Sequence, residues 1–346
     1  MDSSFDKTLN DEDTSGERFC TQKSDVFWSI KLFMLSVIFT FLLGFGIYLV
    51  MNFFSDPETV NNAVSTASST AVKKVEVSSR YISLMWSIFI FNTIAAFTAS
   101  FGTGLFVYIH HVLIGDLKHR TRHQKYLNVS IKTEHMFKQF FRKIHYITAK
   151  TDLGQKQTRD TIQDPKYSIW HYSGFTRQDY QKIAQILPHT IPVIIIVVNG
   201  MLIGLLLSYF IFNGILEGYE VMGLKGVVMG SIYSFSYCIS AILPHGILEL
   251  PALLLTAAIG HRFAKVQSNL VYDKRLFFGS DIKNINQSLE YVDSITGVYL
   301  KSKPLWHLFI PVTVMLLVAA YIEVYITPEF IEIVMDTMDN VILKLN

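Results

Sequence analysis

Charge is scarce in this chain: Asp, Glu, Lys and Arg make up 17% of 346 residues, against roughly 25% in soluble domains. Cysteine is scarcer still, with Cys20 in a polar leader and Cys238 inside an apolar run. Two such residues are not expected to pair across a membrane, so neither a disulfide framework nor a zinc cluster follows. No glycine-rich phosphate loop with a following Lys and Ser or Thr occurs, and no His-Glu-x-x-His stretch. Both absences remove support for an ATPase or a zincin, and no cofactor is implied. Residues 1–25 are polar and mostly acidic without an apolar core, so they read as a disordered tail rather than a cleavable signal.

What is abundant is apolar surface. Half of the residues are hydrophobic, with 26 Phe and 17 Tyr, and the mean hydropathy is +0.33. Crossing a bilayer takes about 20 apolar residues, and runs near that length stand at 26–54, 82–114, 191–212, 226–243 and 306–326. The expected fold is an all-α polytopic membrane protein with five transmembrane helices. A re-entrant or broken half-helix accompanies them at 246–262, six crossings being the alternative.

Between the second and third runs, residues 115–187 carry fourteen Lys or Arg against six Asp or Glu. Lys118, Arg120, Arg122 and Lys125 follow the second run closely, which places this segment and the amino terminus in the cytoplasm. Within it, EHMFKQFFRKIHYI spaces its apolar residues for an amphipathic helix bearing Lys138, Arg142 and Lys143. These seven cations form a candidate surface for anionic lipid or a protein partner, the plainer alternative being a small helical subdomain. DPKYSIWHYSGF reads as a loop with an aromatic cluster. No nucleic-acid-binding module is recognisable, so nucleic acid is not an expected partner.

The division that follows is a tail at 1–25 and two spans at 26–114 with an outside loop at 55–80. Then come the basic cytoplasmic insertion at 115–187, a membrane core at 188–326 with a cytoplasmic loop at 263–303, and an acidic amphipathic tail at 327–346. Residues 213–223 read as a short outside connection, and 282–300 as an interfacial helix.

PHGILELPALLLTAAIGHRFAK, from Pro244, places a histidine, a carboxylate and two prolines inside an apolar run. An acid deep in a bilayer costs roughly 2.5–3.5 kcal/mol on insertion scales, so Glu249 is expected to face protein or a watery cavity. On a helix His245 and Glu249 share one face at i and i+4. Pro244 suits a helix start and Pro251 removes a backbone donor, so breaks or bends are expected at both. Gly246 lies between them. Asn92, Asn199 with Gly200, and Glu323 are the other polar or small residues inside apolar runs. Helix packing is the plainer reading for Asn92 and Asn199, and reach to the interface for Glu323. A buried Glu249 is expected to bond Asn92, Asn199, His245 or a broken-helix carbonyl.

LPHGILELPALLLTAAIGHR, with IFIFNTIAAFTASFGTG, VVNGMLIG and AAYIEVYITP in that order, resembles the stage II sporulation protein M (SpoIIM) family of integral membrane proteins. The resemblance covers the spans and not the basic segment. It implies a non-enzymatic membrane scaffold at the cell membrane, recruiting envelope-hydrolase-type or other membrane partners as a homodimer. The alternative is a transporter or permease-like component built on His245 and Glu249, because helices interrupted by polar groups at mid-depth suit a transport path. An intramembrane metal-dependent enzyme ranks third, since two ligands fall short of a closed zinc site.

Overall fold

The computed structural model describes residues 16–54, 82–120, 123, 125–134 and 168–345. Among the described residues the fold is helical, without a strand. The loop at 55–80 lies outside them, and so does nearly all of the amphipathic stretch with Lys138, Arg142 and Lys143.

Helix α1 is Lys23–Phe54 and α2 is Leu84–Phe97. A π turn at Thr98–Gly102 and a short turn at Thr103–Phe106 lead into α3, Ile109–Arg120. Helix α4 is Arg177–Ile186, α5 Thr190–Met222, α6 Leu224–Asp273, α7 Ile282–Leu300, α8 Lys303–Tyr325 and α9 Thr327–Leu345. Among the described residues five segments are long and apolar enough to cross a membrane: Gly16–Met51, Leu84–Arg120, Arg177–Met222, Leu224–Asp273 and Lys303–Tyr325. A helix satisfies its own backbone donors and acceptors, which hydrocarbon requires.

Two expectations about the fourth crossing are corrected. The half-helix does not form, because α6 runs unbroken for 50 residues through Pro244 and Pro251, about 75 Å at 1.5 Å per residue. Each proline removes one backbone donor, a loss that membrane helices tolerate when their surroundings re-satisfy the freed carbonyl. The connection at 213–223 is likewise helical as far as Met222. Gly223 alone turns the chain, with φ +62°, a left-handed backbone that glycine adopts without steric cost.

The chain divides into two compact units. One comprises Gln22–Ala99, Val193–Ala258 and His307–Asn346. Small residues set its helix contacts. Gly200 lies against Ser36, Gly204 against Val37 and Thr40, and Gly44 against Ser208, so α1 and α5 run parallel along a small-residue seam. Ser36, Thr40 and Ser208 return their hydroxyls to carbonyls of their own helices at 2.7–2.8 Å, leaving no bare donor in the seam. Beyond it Tyr48 stacks on Phe212. Helices α5 and α6 meet where Gly214 and Gly218 approach Gly226 and Gly230. Leu35, Phe39 and Leu42 point outward at 60%, 62% and 64% exposure, as the lipid-facing side of a span must.

The other unit comprises Met1–Thr21, Ser100–Pro192 and Ile259–Trp306. Residues 16–21 are not a free tail here. Gly16–Phe19 forms a 3-10 turn, and the buried Phe19 packs on Phe263 and Tyr299 at ring-centroid distances of 5.8 and 5.3 Å. Tyr299 donates to the carbonyl of Ser100 at 2.9 Å; burial raises the pKa of this phenol, keeping its proton available. Helix α7 has the expected bounds, but Ile285, Leu289, Val292, Ile295 and Tyr299 are buried in protein, so it is a core helix rather than an interfacial one. The DPKYSIWHYSGF stretch, described from Ser168, is anchored by buried Trp170, whose indole donates to the carbonyl of Gly279 at 2.8 Å.

The seam supplies a test. A Cβ on Gly204 would lie 2.5 Å from the carbonyl oxygen of Val37 and 3.0 Å from the amide of Phe41, whereas one on Gly46 would meet nothing within 4 Å. Gly204→Ala should therefore cost about 1–3 kcal/mol by overpacking, and Gly46→Ala should be neutral or gain up to about 1 kcal/mol. Unfolding in detergent measures both, and equal stability of the two variants would contradict the seam.

Candidate intramembrane polar site

In the first unit three helices and a helix start converge on Glu249. His245 and Glu249 lie one turn apart on α6, and Glu323 comes from the last turn of α8. One ligating atom from each of the three lies within 4.8 Å of the others. All three are half-buried, as is Asn92. The side chain of Asn92, on α2, hydrogen-bonds the Glu249 carboxyl. At the start of α9 the Thr327 hydroxyl lies 3.4 Å from His245 Nδ1 and donates to the carbonyl of Ile322 at 3.1 Å.

This geometry sorts the candidates. Asn92 is the partner of Glu249, whereas Asn199 donates to the carbonyl of Ile195 at 2.8 Å on its own helix and takes no part. Gly200 belongs to the α1–α5 seam. Gly246 is buried, Pro244 half-buried and Pro251 exposed; none offers a side-chain polar atom. Glu323, in the last turn of α8, stands beside Glu249. Thr327 was not among the expected residues. Its only signal was a hydroxyl one turn after Glu323 in YIEVYITP.

Two carboxylates that close carry a clear electrostatic consequence. Were both ionised, their repulsion at 4.8 Å or less would exceed about 3 kcal/mol at an effective dielectric near 20. A proton on one acid, or a positive charge held between them, removes that repulsion, with His245 beside the pair and Asn92 orienting one carboxyl.

The profile of the family described as Stage II sporulation protein M (SpoIIM) matches residues 129–328, well over half of the chain. The chain belongs to the SpoIIM family. No curated protein and no solved structure matches it. The matched range contains His245, Glu249, Glu323 and Thr327 and leaves out Asn92. It begins inside the basic segment, so the expected extent of the resemblance is corrected: most of 115–187 falls within the SpoIIM match, and the first two spans fall before it.

The cations proposed as a lipid or partner surface are only partly available for one. Arg122, Lys138, Arg142 and Lys143 lie outside the described residues, and Lys125 is exposed. Lys118 donates to Asn286 Oδ1 at 2.8 Å. Arg120 is removed from the surface set as a correction. Only 7% exposed, it pairs with Asp116 and, at 2.6 Å, with Glu134. Glu134 also accepts from the Ser173 hydroxyl at 3.0 Å. Proximity to a span end obeys topology, but two acids within reach turned this arginine inward. Truncating one member of a buried pair typically costs about 3–5 kcal/mol, so Arg120→Ala should destabilise this SpoIIM-family protein strongly while Lys125→Ala leaves it within about 0.5 kcal/mol. Thermal unfolding with and without anionic lipid checks this, and an Arg120→Ala variant of normal stability and weakened lipid binding would restore the surface role.

Proposed function

We propose that this SpoIIM-family membrane protein is a transport or permease-like component that engages a cation at His245, Glu249 and Glu323. One observation carries the reading: two acids and an imidazole, His245 and Glu249 from α6 and Glu323 from α8, meet inside apolar spans. An intramembrane ionisable residue is expensive, and such residues typically mark ion or substrate pathways. A pair of acids with a histidine exceeds what helix packing needs, since the small-residue seams already supply close contact. The reading requires no bond-making chemistry. By the charge bias of the loops, the amino terminus and residues 115–187 face the cytoplasm.

The second reading is the scaffold, and family membership favours it. In that case the cluster is a fold-holding element, and the functional surface faces other membrane or envelope proteins, with a second copy of the chain among them.

Glu249→Gln and Glu249→Leu separate the two readings. Glutamine keeps the size and the bond to Asn92 while removing the acid. On the transport reading Glu249→Gln folds and assembles normally yet fails to complement a deletion strain. Leucine should in addition lose roughly 1–3 kcal/mol for the partners left unsatisfied. The measurements are unfolding in detergent, partner pull-down and complementation. A Glu249→Gln variant that complements fully would defeat the transport reading in favour of the scaffold.

A further inference from the structure

We propose that His245, Glu249 and Glu323 form a binding site for a single divalent transition-metal ion of the zinc or manganese class, with Asn92 and Thr327 as its outer supports. This deepens the transport reading by naming the cation, and its test is separable from that reading.

Charge comes first. Two carboxylates and a neutral imidazole around a divalent ion sum to zero, the balance a low-dielectric interior favours. A monovalent ion would leave one negative charge uncompensated. Were both acids ionised without an ion they would repel each other, and a bound divalent ion removes that repulsion as a proton would.

Geometry agrees. Zinc lies about 2.0–2.2 Å from imidazole nitrogen and carboxylate oxygen, so donors around a tetrahedral ion stand about 3.4 Å apart. The donors here lie within 4.8 Å of one another, so the side chains draw in by up to about 1.4 Å to share one ion. His245 and Glu249 approach from one helical face, and Glu323 approaches from another helix, so three donors converge and the remaining positions stay open for water or cargo. Sites with three protein ligands and an open position are the pattern of exchangeable or reactive ions rather than closed structural ones.

Donor chemistry narrows the ion. Calcium takes six to eight oxygens and magnesium retains most of its waters, whereas imidazole with carboxylate suits zinc, iron or manganese. The surroundings provide the supports such ions use. Metal-bound histidines commonly anchor the second ring nitrogen, and ligating carboxylates are themselves hydrogen-bonded. Thr327 stands at His245 Nδ1, and Asn92 bonds Glu249.

The test uses the full chain, purified in detergent and stripped with a chelator, with Zn2+ and Mn2+ as probes in calorimetric titration and in metal analysis after dialysis. One equivalent of Zn2+ per chain should bind and raise the unfolding temperature. Glu323→Gln and His245→Gln should each weaken binding by about 100-fold or more and abolish the thermal rise. Asn92→Ala, acting through Glu249, should weaken it about 10- to 100-fold. Ca2+ and Mg2+ should not compete. Substoichiometric Zn2+ and Mn2+ on the wild-type chain would overturn the proposal whether or not the variants fold, and so would unchanged affinity in a folded Glu323→Gln protein. Absent metal with a folded, non-complementing Glu249→Gln defeats the metal site alone; bound metal with full complementation by Glu249→Gln defeats the transport reading alone.

Discussion

A carboxyl group placed among apolar spans must be met by other polar groups of the protein, and the unit built on Gln22–Ala99, Val193–Ala258 and His307–Asn346 answers that constraint. Glu249 cannot be satisfied from its own helix alone. It draws on Asn92 from α2, on His245 a turn away, and on the neighbourhood of Glu323 from α8. The burial of one acid thus ties several helices together. The tie is polar and directional, unlike the seams of Gly200, Gly204, Gly214 and Gly218, which hold helices by close approach.

Those two modes of contact divide the work. Hydrocarbon gives little driving force for one apolar helix to prefer another, so association relies on close packing of small residues and on hydrogen bonds. Serines and threonines along α1 and α5 satisfy themselves on their own carbonyls, so the seams carry no unspent polar group. On the α2, α6 and α8 side polarity gathers where His245, Glu249 and Glu323 meet.

Much of this was legible from the chain alone. The five crossings followed from run length and charge, the family from the PHGILELP stretch and its companions, and the pairing of His245 with Glu249 from helical spacing. Asn92 was rightly among the partners proposed for Glu249. What was not legible depended on tertiary placement. Proline chemistry argued for breaks at Pro244 and Pro251, whereas α6 passes through both. Periodicity drew the bounds of α7 but could not say whether its apolar face meets lipid or protein, and Tyr299 and Val292 proved to be core. Arg120 obeyed the topology rule and then turned inward because Asp116 lies four residues earlier and Glu134 folds back to it. Above all, Glu323 is 74 residues from Glu249 in the chain, a separation that no local pattern bridges.

The central claim is that Glu249 and Glu323 face each other inside the membrane. Short-range thiol cross-linking tests it most directly, using a Glu249→Cys, Glu323→Cys double variant in which Cys20 and Cys238 are replaced. In native membranes a short bifunctional thiol reagent should join the two positions within one chain, while a Lys303→Cys, Glu323→Cys control, its positions about 30 Å apart along α8, stays unlinked. Equal linking in both variants, or linking in the control alone, would contradict the account.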